Sequence, residues 1–170
     1  MHSAARLLLA ILAAALFVSP GAVAAAPAAS TPESLGDFLK PGDTVAAFEA
    51  AGIDGVMRRI DYPKKTVTVL MFFSSGCPHC HHMIPLWNDR FRRRPSNVAM
   101  IGILVDKEPP GFFEQMPILF PVLRMPTRNM LTDYKVARVP LTLRIAPGGV
   151  VEDVGVGILD PIRLGQILRP

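Results

Sequence analysis

The sequence predicts an α/β fold in which a central mixed β-sheet is flanked by helices and preceded by an N-terminal hairpin. Two near-continuous β-branched and aromatic runs, "TVTVLMFF" (66–73) and "VAMIGILVD" (98–106), read as strands buried on both faces. One helical pattern separates them, which makes a βαβ unit with parallel strands. Farther on, Leu141–Ile145 and 150–156 alternate around Pro147-Gly148-Gly149, the pattern of an antiparallel hairpin.

In chain order, residues 1–24 have the layout of a secretory signal peptide. Arg6 supplies the positive end, an apolar run extends from Leu7 to Val18, Ser19-Pro20-Gly21 breaks it, and Ala22-Val23-Ala24 offers the cleavage site. The run is short for a bilayer span; an uncleaved membrane anchor recruiting the alanines up to Ala29 is the alternative. No cysteine lies near the cut, which argues against a lipoprotein. The expected location is therefore the periplasm or another extracytoplasmic space. Residues 25–39 read as an Ala/Pro/Ser linker, and 40–170 as one domain large enough for a sizeable core.

Within 40–170, turn signals at Pro41-Gly42-Asp43 and Asp54-Gly55 frame a short hairpin, "AAFEAAGI" with "VMRRI". After the 66–73 strand, Met83, Leu86, Trp87 and Phe91 recur at helical spacing as a core face, and Pro85 implies a kink. A short helix near Phe112–Gln115, a strand at 121–124 and a helix at 127–134 with Thr127 as N-cap follow. Asp160 caps a final helix that has Pro161 in its first turn. The segment from Pro109 to Pro126 carries Phe112, Phe113, Leu119 and Phe120, either as core filling or as a partner-specific surface. With 18 Lys+Arg interspersed with 14 Asp+Glu, the net charge of +4 indicates no nucleic-acid partner. The Arg92-Arg93-Arg94 cluster ends a helix, where it complements the dipole.

The chemistry sits in "SSGCPHCHH" (74–82), which holds the only two cysteines. As C-x-x-C it is a redox dithiol. As C-x-x-C-H it is a haem attachment site with His81 as proximal ligand and Met100, Met116, Met125 or Met130 as distal candidates. A metal site would draw on Cys77, His79, Cys80, His81 and His82.

Context favours the dithiol. The motif follows a buried strand and opens a helix, so backbone N–H groups and the helix dipole face Cys77 and favour a thiolate. Pro78 fits the first helical position, and His79 adds positive character beside the sulfur. Cys80 lies one turn deeper, placed to resolve a mixed disulfide formed at Cys77. A bridge closing so small a ring is a poor staple, which points to chemistry rather than architecture. The remaining histidine, His2, falls in the signal, so a closed structural zinc site lacks its second ligand pair. Copper delivery through the two soft thiolates stays as the non-enzymatic alternative. No metal and no cofactor are expected, and His81 and His82 are expected to face solvent.

The frame "VTVLMFFSSGCPHC", followed by Val139-Pro140 and the Gly-Gly hairpin, resembles the thioredoxin superfamily over about 40–168. It is most similar to the exported TlpA/ResA group, while its C-P-H-C choice resembles the exported oxidant DsbA. This resemblance implies a thioredoxin-like fold and thiol–disulfide exchange with cysteines of other exported proteins. It also implies a membrane or soluble redox partner that recycles the dithiol. Pro140, preceded by Val139, matches the proline that is cis in the superfamily and helps hold substrate backbone. One departure stands out. The superfamily's buried acid six residues before the first cysteine is Met71 here, leaving Glu49, Asp106 or water to move protons. Peroxiredoxins carry a proline and a threonine where this chain has Leu70 and Ser74, which argues against peroxidase chemistry.

Overall fold

The computed structural model describes residues 38–169. The signal peptide expected at 1–24 and the part of the expected linker up to residue 37 lie outside the described residues. Leu39, which the sequence reading puts at the end of the linker, is buried in the core. No helix among the described residues is long and apolar enough to cross a membrane.

The elements follow the predicted order: β1 (Phe48–Ala51), β2 (Met57–Ile60), β3 (Val67–Phe73), α1 (Pro78–Arg92), β4 (Val98–Leu104), α2 (Phe112–Gln115), β5 (Val122–Arg124), α3 (Asn129–Asp133), β6 (Leu141–Ile145), β7 (Val151–Val156) and α4 (Pro161–Ile167). A five-stranded sheet has the order β5-β4-β3-β6-β7. β3 pairs parallel with β4 and antiparallel with β6, so the most apolar run lies at the centre. This is a thioredoxin-like fold.

Alternation along β3 divides the core. Val69, Met71 and Phe73 join Cys80, Met83, Ile84 and Trp87 on the α1 side. Leu70 and Phe72 join Ile103, Leu123, Tyr134 and Leu143 on the other. Burying each such large side chain contributes roughly 1.5–3 kcal/mol, so β3 is anchored from both faces.

β1 and β2 form the antiparallel hairpin read from the sequence, with Phe48 opposite Ile60. Gly52 N–H donates to Val56 O across the turn (2.9 Å), and Arg58 grips Asp54 with two nitrogens at 2.7 and 2.6 Å. Beyond the turn, Gly52 bridges Leu123 and Ile53 N–H donates to Val122 O at 3.2 Å. The hairpin thereby covers the β5 edge, which would otherwise offer unpaired backbone groups.

One local expectation fails here. Thr127 is not the N-cap of α3: the helix starts at Asn129, Arg128 flanks it, and no side chain caps it. Thr127 has no regular secondary structure and Arg128 forms a turn before the helix starts. Of the two readings of the 109–126 segment, core filling holds for most of its large apolar side chains. Phe112 and Phe120 are buried and Phe113 half-buried, leaving Leu119 exposed. α1 continues through Pro85, which is exposed on the helix's outer side.

Candidate active site

β3 delivers the chain to Ser74, and α1 begins four residues later at Pro78. Cys77 is the N-cap of α1, with extended backbone (φ −94°, ψ 112°), and Pro78 occupies the first turn, where its missing N–H leaves nothing unpaired. Cys80 N–H donates to both Cys77 O at 3.0 Å and Cys77 Sγ at 3.4 Å. The sulfur therefore stands where a helix N-terminus directs its donors, an arrangement that favours negative charge on it.

The two thiols have opposite surroundings. Cys77 is half-buried, whereas Cys80 is fully buried. Burial pushes the Cys80 thiol up to about 12, and its hydrogen bond with Cys77 adds to the rise. Both residues share one helix turn, as their spacing requires. Across from them the Val139–Pro140 peptide bond is cis, and Cys77 Sγ lies 3.8 Å from Val139 O. Gly157 N–H ties Pro140 O at 2.8 Å, fixing that loop to the end of β7.

His79 is exposed beside the motif, and His82 is exposed as expected. His81 departs from expectation. Its Nε2 lies 2.6 Å from Ser75 O, and its ring packs against Phe112 with centroids 6.0 Å apart. It faces back over the loop rather than into solvent, because the i−6 carbonyl and a buried aromatic ring offer it a better-satisfied position. Among the described residues, no group of three or more His, Cys, Asp and Glu is arranged to hold a metal ion.

Of the two carboxylates considered in place of the missing acid, Glu49 lies on the exposed hairpin, paired with Arg59 at 3.4 Å. Asp106, just after β4, is at the site. It accepts from Ser74 Oγ (2.7 Å), Ser75 N (2.9 Å) and Ser75 Oγ (2.8 Å). Burial alone would raise its carboxyl, but these donors outweigh it and hold Asp106 below the usual carboxylate range. Met71 itself is fully buried against Met83, Ile84 and Trp87, surroundings in which an unpaired carboxylate would be strongly disfavoured. The sequence reading named Asp106 but missed its serine partners. Their adjacency to the cysteines was visible, whereas the parallel β3–β4 register that brings Asp106 beside them was not.

Thioredoxin-like architecture with a dithiol at the first turn of α1 defines the class. The AhpC/TSA family model matches residues 41–154, and the chain belongs to that family. Solved structures that share the fold include the following three. A protein described as thiol:disulfide interchange protein DsbE of Chlorobium tepidum is 23% identical, with a TM-score of 0.66 over 76% of this chain and 95% of that one. A secreted Mycobacterium tuberculosis disulfide oxidoreductase is 17% identical, with a TM-score of 0.61 over 71% and 93%. Peroxidoxin BcpB of Mycobacterium tuberculosis is 21% identical, with a TM-score of 0.64 over 76% and 94%. No curated protein sequence matches the chain.

Proposed function

We propose that this chain is an exported thiol–disulfide oxidoreductase. The observation that carries the reading is the asymmetry of the pair: a half-buried Cys77 sulfur facing helix donors, and a fully buried Cys80 directly behind it. In the reducing direction the Cys77 thiolate attacks a substrate disulfide, forming a Cys77–S–S–substrate bond and releasing the other substrate sulfur as thiolate. Cys80 then gives up its proton and attacks Cys77 Sγ, closing the Cys77–Cys80 disulfide and releasing the second substrate thiolate. Two electrons pass from the protein to the substrate. The reverse sequence oxidises a substrate dithiol.

Val139, preceding the cis Pro140, offers a carbonyl beside the reacting sulfur to which an extended substrate segment can donate a backbone N–H. The substrates are cysteine-containing exported proteins. A membrane or soluble redox partner restores the pair, because the chain has no cysteines beyond these two. His79, exposed within the motif, is the residue that when protonated would favour the reduced form and make the disulfide a stronger oxidant.

The test is equilibration of the purified protein with glutathione buffers, followed by alkylation and mass measurement. The proposal expects a reversible change between two free thiols and one disulfide. Cysteines that never change state across the buffer range would overturn it.

A further inference from the structure

The structure assigns to Asp106 a positioning role: its carboxylate clamps the Ser74-Ser75 approach to Cys77, and its charge biases the Cys77–Cys80 pair against the dithiol. This inference rests on the exchange reaction proposed above. The residues preceding Cys77 are held from two sides. Asp106, at the end of β4, accepts from both serine hydroxyls and from the Ser75 N–H, at 2.7 to 2.9 Å. From α1, His81 Nε2 meets Ser75 O at 2.6 Å. Ser74 O in turn accepts from Cys77 N at 3.3 Å, so the clamp acts directly on the nucleophile's backbone.

No cation is held against the carboxylate among the described residues. Among the described residues Asp106 makes no ion pair, although it borders a cleft that also holds Lys107, Glu108, Arg124 and Arg128. Arg124 is engaged with Glu108 through both guanidinium nitrogens, and Asp106 faces the neutral serines instead. Its charge thus reaches the dithiol, raising the Cys80 thiol as the smallest of several causes.

The consequence follows from charge balance. In the reaction of the protein disulfide with two glutathiones, giving the protein dithiol and glutathione disulfide, the oxidised pair is neutral and the reduced pair can carry thiolate. A fixed negative charge nearby disfavours only the reduced side. Asp106 therefore makes the pair harder to reduce than its helix-capping geometry alone would.

The experiment compares the glutathione equilibrium constants of wild type, Asp106→Asn, Asp106→Glu and the double variant Ser74→Ala/Ser75→Ala. Asp106→Asn keeps the shape and removes the charge. It is expected to shift the equilibrium toward the dithiol by about three- to fivefold, the size of a screened interaction between nearby charges. Asp106→Glu is expected to restore most of the wild-type constant. The serine double variant releases the clamp but keeps the carboxylate, and is expected to move the constant less than Asp106→Asn does. An unchanged constant in a folded Asp106→Asn protein, or a serine variant that reproduces its full shift, overturns the electrostatic role. Should Asp106→Asn fail to fold, a serine variant that shifted the constant about three- to fivefold toward the dithiol would likewise overturn it. A wild type that does not equilibrate at all would instead refute the exchange reaction.

Discussion

Cys80 donates its backbone N–H to the Cys77 sulfur at 3.4 Å while its own sulfur is fully buried. One helix turn therefore makes two chemically different thiols from one residue type. The backbone of the second residue aims a donor at the first sulfur, and packing against Met83 and Ile84 keeps the second as a neutral thiol.

The first prediction concerns alkylation. In the reduced, folded protein near neutral pH, iodoacetamide should modify Cys77 rapidly and Cys80 only after unfolding. Mapping the label by peptide mass tests this. Comparable labelling of both in the folded state would contradict the assigned asymmetry.

The same asymmetry sets a pH dependence. Burial raises Cys80 from an ordinary thiol value of 9.0 to about 12, so between those values the folded chain binds more protons than the unfolded one. Stability of the reduced protein is then fully present below about pH 9 and falls as pH rises toward 12. Tyr134, also raised by burial to about 12, acts in the same direction. Denaturant midpoints should therefore drop over this window in the reduced protein, and Cys80→Ala should show a shallower drop.

At the acid end the sign reverses. Asp106 and Asp153 are both held below the ordinary 3.8, Asp153 chiefly by its hydrogen bonds to Arg163. Their contributions are present above about pH 4 and are lost as pH falls through their folded-state values. Asp153→Asn should flatten the acid limb of the stability curve while leaving the glutathione equilibrium unmoved, since Asp153 lies on β7 away from the cysteines.

Gly149 gives a packing prediction. Its φ is +89°, and a Cβ built there would lie 2.4 Å from Val45 O, a backbone atom with little room to move. Gly149→Ala should destabilise the protein by about 1–3 kcal/mol or more, by strain and by displacing the Val45–Gly149 pairing. Helix capping gives a smaller effect. Asp160 Oδ1 accepts from Ile162 N and Arg163 N, both at 2.8 Å, and Asp160→Ala should cost about 1 kcal/mol. Thermal or denaturant unfolding measures both.

His79→Ala should move the glutathione equilibrium toward the disulfide, because it removes positive character beside the dithiol. An equilibrium constant equal to wild type would take His79 out of the account.

Much of this was legible in the residues because local and global signals agree. The β3 run is apolar on both faces and could only be a central strand. Asp160-Pro161 and Gly148-Gly149 announce a cap and a turn through chemistry that depends on few neighbours. The cysteine pair declared itself by following that strand and opening a helix. What escaped depends on long-range placement. His81 reads as an ordinary exposed helix position until the fold brings Ser75 O and Phe112 to it. Asp106 is 31 residues from Ser75, and only the parallel pairing of Phe73 with Leu104 brings them together. Thr127 has the composition of a cap, but the turn after Pro126 ends one residue later than composition suggests.

The most direct test of the central claim uses the two single-cysteine variants, Cys80→Ser and Cys77→Ser, each exposed to glutathione disulfide and followed by mass. The account predicts that Cys80→Ser acquires one glutathione at Cys77 and keeps it, since the thiol that would displace it is gone. It predicts that folded Cys77→Ser stays unmodified, its single sulfur buried on the inner face of α1. If Cys77→Ser were modified as readily as Cys80→Ser, or if Cys80→Ser remained unmodified, Cys77 would not be the attacking sulfur and the two-thiol mechanism would be wrong.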